Sequence, residues 1–458
     1  MGVSKSEEVE INVVGSSKFG RYPKIDTERT YNMFISDNWL ISYAGFKKQS
    51  ETNINNGIGR GIYNSVRGGF LIFVINSTVF RANSNLAPFP IGNIATLTGD
   101  VYIDENLNDQ ICIVDGKKAY IYNYSLTSPT FTEQTLIDTV SGSEIFPNYV
   151  CYHNTFFLFG SALNSVNPQN WYVFQYASPT TISMNTQLAL QTKPDTALAV
   201  ERLPGRGNNV LVLGSTVSEV WTQVGGDENY RRVQSFNIDY GLVSTSTLAS
   251  SEEYICWLGK NEHNSSTIMI TDGSSSKRLS TDGIDYVLGQ LQHPEQSAAF
   301  FYRQDGHLFY QLTFYNPADN LTLIYDFNTN LFFHVSNENL DYHPARQVVF
   351  YQGKTYFISL DDSALYLMDT NLLTYDYSVD TPSVGAEIPR IRICNTVRRK
   401  NSDRFRAGQF TFWIEQGVNQ YHAMDPPVQV IPRVDMSFSK NGNQSFSNIV
   451  GHDLNPQG

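Results

Sequence analysis

The stretch Phe70-Leu-Ile-Phe-Val-Ile75, a two-residue turn and then Thr78-Val-Phe80 sets the pattern of this chain. A run of this kind is too short for a buried helix and too uniform for a strand with one wet face. It suits a strand covered on both sides. The same run recurs as Ile111-Cys-Ile-Val114, Phe156-Phe-Leu-Phe159, Val210-Leu-Val-Leu213, Tyr254-Ile-Cys-Trp-Leu258, His307-Leu-Phe-Tyr310 and Lys354-Thr-Tyr-Phe-Ile358. Each is followed by an aliphatic–aromatic strand: Val79-Phe80, Ala119-Tyr-Ile-Tyr122, Trp171-Tyr-Val-Phe174, Glu219-Val-Trp221, Ile268-Met-Ile270, Leu323-Ile-Tyr325 and Leu365-Tyr-Leu-Met368.

A shorter strand precedes each run, starting near Ile62, Val101, Tyr149, Leu198, Val243, Ala298 and Gln347, so the repeat averages about 48 residues. Glycines that supply the positive φ of tight hairpins punctuate it at Arg67-Gly68-Gly69, Asp115-Gly116, Asp305-Gly306 and Gln352-Gly353. Seven units of four strands make one closed ring, an all-β β-propeller of seven blades. Separate sandwich domains would need roughly 100 residues each and linkers between them, and no Pro/Gly/Ser-rich linker precedes residue 380. No long segment has a 3.6-residue period, so few helices are expected.

Two segments fall outside the repeat. Residues 1–56 read as an N-terminal arm with a lead-in strand around Thr30-Tyr-Asn-Met-Phe34, able to complete the last blade and close the ring. Residues 57–385 form the propeller, and the composition shifts after Thr381-Pro-Ser-Val-Gly385, so 386–458 reads as a C-terminal β domain.

Composition agrees with many half-buried strands: 13% of residues are aromatic, including 27 Tyr and 28 Phe. Only 17% are charged, against about 25% in an average domain. The net charge of −12 opposes binding to nucleic acid or anionic membrane over the whole surface. One segment runs the other way. Between Arg390 and Arg406 stand Arg390, Arg392, Arg398, Arg399, Lys400, Arg404 and Arg406 against a single Asp403, so this segment is +6 and the remainder is −18. Such a cluster is either a solvated, charge-protected strand edge or a contact for an acidic partner, with Arg398, Arg399, Lys400, Arg404 and Arg406 as the candidate partner-binding residues.

Cys112, Cys151, Cys256 and Cys394 lie far apart with no CxxC spacing, and read as free thiols of a reducing compartment. The first residues lack the apolar core of a signal peptide, and no window approaches the ~20 apolar residues of a membrane span, so folding in the cytoplasm is expected.

Catalytic constellations fail on spacing. The eight histidines are scattered, with no HExxH, and His153 and His334 sit beside aromatic strand residues where a core or edge role is expected. No GxSxG elbow exists, and Gly15-Ser-Ser-Lys18 lacks the upstream glycine of a phosphate loop. Paired carboxylates could serve a glycosidase, and Asp272, Asp282, Asp285, Asp361 and Asp362 are the candidates. All read as turn residues, where Asp bonds its own backbone. Ser439-Lys-Asn-Gly-Asn-Gln-Ser-Phe446 is similar to the Asp-box hairpin of sialidase-type propellers, which is a folding element. Neither a catalytic, cofactor nor metal site is expected; a glycan-binding or glycan-cleaving propeller is the alternative.

Several segments, in order, resemble the tail-hub family of short-tailed bacteriophages, also called packaged-DNA stabilisation proteins. They are Arg29-Thr-Tyr-Asn32-Met-Phe34, Tyr43-Ala-Gly-Phe46 with Ala44 in place of proline, Arg60-Gly-Ile-Tyr63, and the run from Phe70 to Phe80. Leu213-Gly-Ser-Thr-Val-Ser-Glu-Val-Trp221, Tyr240-Gly241 and Trp257-Leu-Gly259 follow. The resemblance covers most of residues 29–340. It implies a non-enzymatic propeller in the virion tail, assembled in the bacterial cytoplasm as a ring, a hexamer, beneath the portal and its adaptor protein. There it would extend and close the channel, confine the packaged DNA and carry the tail needle and tailspike.

Overall fold

The computed structural model describes residues 11–19, 28–125, 127–178, 181–263, 266–379, 385–397, 411, 420–422, 428–430, 433–440 and 445–454. Seven antiparallel sheets follow one another along the chain and close into a propeller. Blade 1 consists of Gly59–Ser65, Phe70–Ile75, Thr78–Ala82 and Pro88–Asn93. Blades 2 to 5 span 102–134, 147–189, 199–238 and 241–278, and blades 6 and 7 are built on 297–334 and 345–369.

The continuous apolar runs are the second strands, and both faces of each are covered. All six residues of Phe70–Ile75 and all five of Gln110–Val114 are buried. Successive side chains of a strand point to opposite faces, so Ile111 and Ile113 pack toward blade 1 while Cys112 and Val114 pack toward blade 3. One apolar cluster fills each space between neighbouring blades, and the cluster of Phe73, Ile75, Tyr351, Ile358 and Leu365 joins blade 7 back to blade 1. Between blades 3 and 4, Trp171 meets Trp221 and Tyr230 edge-to-face, each pair with ring centroids 5.4 Å apart.

Hairpin chemistry fixes the register. Asp305 and Gly306 take φ of 49° and 82°, and Gln352 and Gly353 take 50° and 77°, the doubly positive pattern of the two-residue turn that matches strand twist. Blade 5 departs from the expected inner strand near Val243. That strand is divided into Gly241–Leu242 and Ala249–Ser250 by a 3₁₀ turn at Thr245–Thr247, in which Thr247 Oγ1 donates to the Ser244 carbonyl.

The N-terminal segment does close the ring, but not with the expected strand. Gly45–Glu51 is the fourth strand of blade 7, antiparallel to Ala364–Asp369, with Phe46 opposite Met368. Arg29–Tyr31 instead extends blade 6, running parallel to Leu331–His334. The reason is the left-handed Asn32 (φ 55°), whose amide donates to Ser336 Oγ at 2.9 Å and to the Pro389 carbonyl at 3.0 Å, so the chain turns off this edge. Met33–Ser36 then pairs with Trp39–Ser42 as a separate hairpin.

Both of these blades gain a further layer from the other end of the chain. Thr374–Asp376 runs parallel to the closing strand and carries Ala386–Glu387, while Ile391–Ile393 pairs antiparallel with Arg29–Tyr31 on blade 6. Residues 386–393 thus form propeller edges. Further on, Gln420–His422 pairs with Val428–Val430, and Arg433–Met436 with Val450–Asp453. Among the described residues the only α-helix is Asp282–Leu288, and no helix is long and apolar enough to cross a membrane.

Candidate functional site

Arg398, Arg399, Lys400, Arg404 and Arg406 lie outside the described residues. The two basic residues that precede them are bound within the chain. Arg390 Nε donates to Ser42 Oγ at 2.8 Å. Arg392 is nearly buried; it pairs with Glu28 at 2.6 Å and donates to the Val13 and Ser16 carbonyls and to Thr30 Oγ1. The start of the basic segment is therefore part of the clasp that holds both ends of the chain on blade 6.

The carboxylates considered for sugar chemistry are all engaged. Asp272 caps its own turn, and the amides of Ser275 and Ser274, both 2.8 Å away, hold its carboxyl below the usual range. Asp282 and Asp285 are not turn residues but occupy the first turn of the helix, where Thr281 caps the N-terminus and acids suit the helix dipole. Gly283 permits that helix, because a Cβ there would collide with the Phe19 carbonyl oxygen. Arg278 bridges the two acids, at 2.9 Å from Asp282 and 3.0 Å from Asp285. Asp361 accepts from the Tyr342 hydroxyl and is raised by burial, and Asp362 is held by Tyr366 at 2.6 Å and Lys48 at 3.1 Å.

Both histidines are structural. His153 is buried between the Tyr230 hydroxyl at 2.7 Å and the Gly207 carbonyl at 3.0 Å. His334 stacks on Tyr31 with centroids 4.6 Å apart, and burial lowers its pKa to about 3. The four thiols stand free, three of them buried and Cys394 half-buried. Among the described residues no group of His, Cys, Asp and Glu is placed to hold a metal ion.

What sequence reading missed is a polar ring on the inner strands. Asp104 of blade 2 accepts from the Tyr152 amide of blade 3 at 2.6 Å and from Tyr63 of blade 1 at 3.3 Å, and Arg202 of blade 4 lies 3.5 Å away. Glu201 accepts from Tyr149 at 2.7 Å, with Arg202 at 3.9 Å. One guanidinium thus serves two buried carboxyls, and burial raises both Asp104 and Glu201. Arg346 of blade 7 pairs with Asp100 on the connection into blade 2, and Arg60 binds the carbonyls of Asn76, Thr96, Thr98 and Gly99. The Asp104 and Glu201 groups tie inner strands to one another, and Arg60 and Arg346 fasten the connection from blade 1 to blade 2. An open depression of about 470 Å³ at Arg202 is lined also by Tyr152, His153, Asn154, Leu203, Gly205, Arg206 and Gly207. The sequence signal was the acidic or basic pair ending a first strand, Asp104-Glu105 and Glu201-Arg202, which becomes informative only once the strands are placed around an axis.

The motifs that carried the family resemblance are packing devices. Glu219 is wholly buried and accepts from the Gln191 amide at 2.9 Å, from the Thr192 amide at 2.5 Å and hydroxyl at 2.6 Å, and from Trp221 Nε1 at 3.1 Å. Gly241 abuts the 214–216 turn, where a Cβ would collide with the Thr216 nitrogen. The Ala44 amide donates to Gln304 Oε1 at 3.1 Å, a bond that proline could not make.

No curated protein matches the chain in sequence. Among solved structures, a streptogramin B lyase aligns at 12% identity and a TM-score of 0.47 over 71% of this chain and 98% of its own. Virginiamycin B lyase from Staphylococcus aureus aligns at 11% and 0.47, over 71% and 99%, and the WD40 propeller domain of Doa1 at 11% and 0.44, over 71% and 97%. The family model described as the β-propeller of bacteriophage P22 Gp10 matches residues 22–373, which include the closing strand and all seven blades. The chain is thus a member of this bacteriophage stabilisation family.

Proposed function

We propose that this phage structural protein is the tail hub: a ring of copies, a hexamer, that extends and closes the portal channel, confines the packaged DNA and carries the tail needle and tailspike. The match to the phage stabilisation family over residues 22–373 carries the reading. The engagement of every candidate carboxylate in a turn, an ion pair or a tyrosine hydrogen bond supports a role without catalysis. A net charge of −12 suits a channel that confines DNA without adhering to it. In this reading Arg398, Arg399, Lys400, Arg404 and Arg406 meet an acidic surface of a neighbouring subunit or of the portal adaptor, and docking weakens with salt.

Electron microscopy of virions carrying a bulky fusion on this chain tests the reading. Extra density in a ring at the tail vertex is expected, together with loss of DNA from particles made without the protein. A chain absent from the virion, or one that releases sugar from host polysaccharide, overturns it.

A further inference from the structure

Among the described residues the C-terminal hairpin, Arg433–Met436 with Val450–Asp453, has two strands, and its loop adds one backbone bond from the Ser447 amide to the Phe438 carbonyl. Two strands alone are marginal in water. Yet Phe438, Phe446, Ile449 and Val450 are 56%, 47%, 64% and 52% exposed. So much apolar surface on so small an element calls for a covering surface.

The propeller carries such a surface. Val140, Leu163 and Val166 are 80%, 72% and 62% exposed. They stand on the connection from blade 2 to blade 3 and on the loop between the second and third strands of blade 3. Pairing of Pro147 with Ser161 places both loops at the same end of the blade. Asp138 stitches the loops together, accepting from Asn167 at 2.9 Å and Tyr172 at 3.1 Å, and Ala162 donates to the Phe146 carbonyl. The patch is built and held, and none of the described residues covers it.

Two observations select the occupant. The chain leaves the propeller at Ile391–Ile393 on the edge of blade 6, while the patch lies at blades 2 and 3, across the seven-bladed ring. A segment rooted on one side and a receptor on the other suit a head-to-tail contact between copies, the kind that closes a ring. The two parts of the chain also differ in the sign of their charge. Beyond the clasped Arg390 and Arg392, the chain that leads to the hairpin carries Arg398, Arg399, Lys400, Arg404 and Arg406 against a single Asp403, while the remainder outside 390–406 is −18. Exposed Asp239, Glu262, Asp282 and Glu295 stand on connections of blades 4 to 6 at the patch end of the propeller, where Lys193 pairs with the first two and Arg278 with Asp282.

We infer that the hairpin of Arg433–Met436 and Val450–Asp453 is an assembly arm that seats Phe438, Phe446, Ile449 and Val450 on the Val140, Leu163 and Val166 patch of a neighbouring copy. The contact supplies a bond for the proposed tail-hub ring, but it is a property of the chain itself and is testable apart from the virion. The hairpin also lies outside the residues matched by the family model.

The test is sedimentation of purified full-length protein. The wild type is expected to associate. Phe438→Ser with Ile449→Ser on the arm, or Leu163→Ser with Val166→Ser on the patch, should each weaken association at least tenfold without changing the circular dichroism spectrum or thermal unfolding. Mixing the arm variant with the patch variant should restore one-to-one dimers, because one intact arm then meets one intact patch. A monomeric wild type, including one whose hairpin amides are protected because it folds back on its own propeller, overturns the inference. So do variants that associate normally, or a mixture that yields no dimers. If copies associate through these surfaces but the chain is absent from the tail vertex, the tail-hub reading fails and the inference stands; a chain at the vertex whose variants assemble unchanged gives the reverse.

Discussion

Glu28 and Arg392 stand 364 positions apart in the chain and meet at 2.6 Å on the outer edge of blade 6, with both side chains nearly buried. Breaking a buried pair by removing one partner leaves the other charge uncompensated, which costs about 3–5 kcal/mol. Arg392→Ala should therefore free both ends of the chain at once. Hydrogen exchange would show loss of protection at Arg29–Tyr31 and Ile391–Ile393, with the inner strands unchanged. Loss at only one of the two strands would mean that they are not held jointly.

Phe46 plays the corresponding part in ring closure. It is wholly buried and stacks on Tyr375 at 4.4 Å while meeting Phe357 and Tyr366 edge-on. Phe46→Ala should cost about 3–5 kcal/mol, and removal of residues 1–52 should leave an open ring that aggregates through blade 7. Urea unfolding checks the first and light scattering the second. Equal stability of Phe46→Ala and wild type would show that the closing strand adds nothing.

That strand also marks the limit of what the sequence discloses. The second and third strands of every blade are legible because burial on both faces makes them continuously apolar, as in Phe70–Ile75. Gly45–Glu51 reads GFKKQSE, with one large apolar residue, since the strand is only half-buried beyond Phe46 and its outer edge is paired only at Phe46 and Lys47. Its place is set by Ala364–Asp369, more than 300 residues away, and no local signal carries that. Thr30–Phe34 has the stronger strand pattern and loses because Asn32 turns the chain. Asp282-Gly283 has the composition of a turn and is a helix start, its glycine required by Phe19 from the N-terminal arm. The inner polar contact of Asp104 with Glu201 and Arg202 is hard to read in the sequence for the same reason: Asp104 comes from blade 2 and the other two from blade 4.

At the hairpin between His153 and Phe156, Asn154 and Thr155 take φ of 45° and 80°. The left-handed region is unfavourable for a β-branched residue. Thr155→Gly should stabilise the protein by about 1 kcal/mol, read as a higher urea midpoint. A lower midpoint would mean that the threonine makes contacts worth more than the strain.

His334 gives a pH signature. Burial among Tyr31 and Phe19 lowers its pKa to about 3, against an ordinary value of 6.5. Below pH 6.5 the unfolded chain takes up a proton that the folded chain refuses, so this contribution to stability is present above 6.5 and is lost as pH falls toward 3. The loss is about 1.4 kcal/mol per pH unit. His334→Phe keeps the ring packing and removes the titration, so its stability should fall between pH 6.5 and 4.5 by about 2–3 kcal/mol less than that of the wild type. Equal losses would mean that the folded protein accepts the proton.

Glu219 offers the sharpest separation of fold from function, because it belongs to a motif that carried the family resemblance and is saturated by bonds within its own blade and the connection leading into it. Its carboxylate is wholly buried and receives four hydrogen bonds from Gln191, Thr192 and Trp221. Arg232 stands 3.6 Å away. The carboxylate holds the connection from blade 3 to blade 4 against the third strand of blade 4. A glutamine has the same shape but presents an NH₂ to groups that are themselves donors, so buried donors lose their acceptor at about 1–3 kcal/mol each. Glu219→Gln should therefore cost several kcal/mol and expose the Gln191 and Thr192 amides to exchange, whereas Glu228→Gln, at an exposed pair with Arg231, should change stability by less than about 1 kcal/mol. If instead Glu219→Gln folds with wild-type stability but fails to assemble into particles, the carboxylate acts on a partner rather than by holding blades 3 and 4 together.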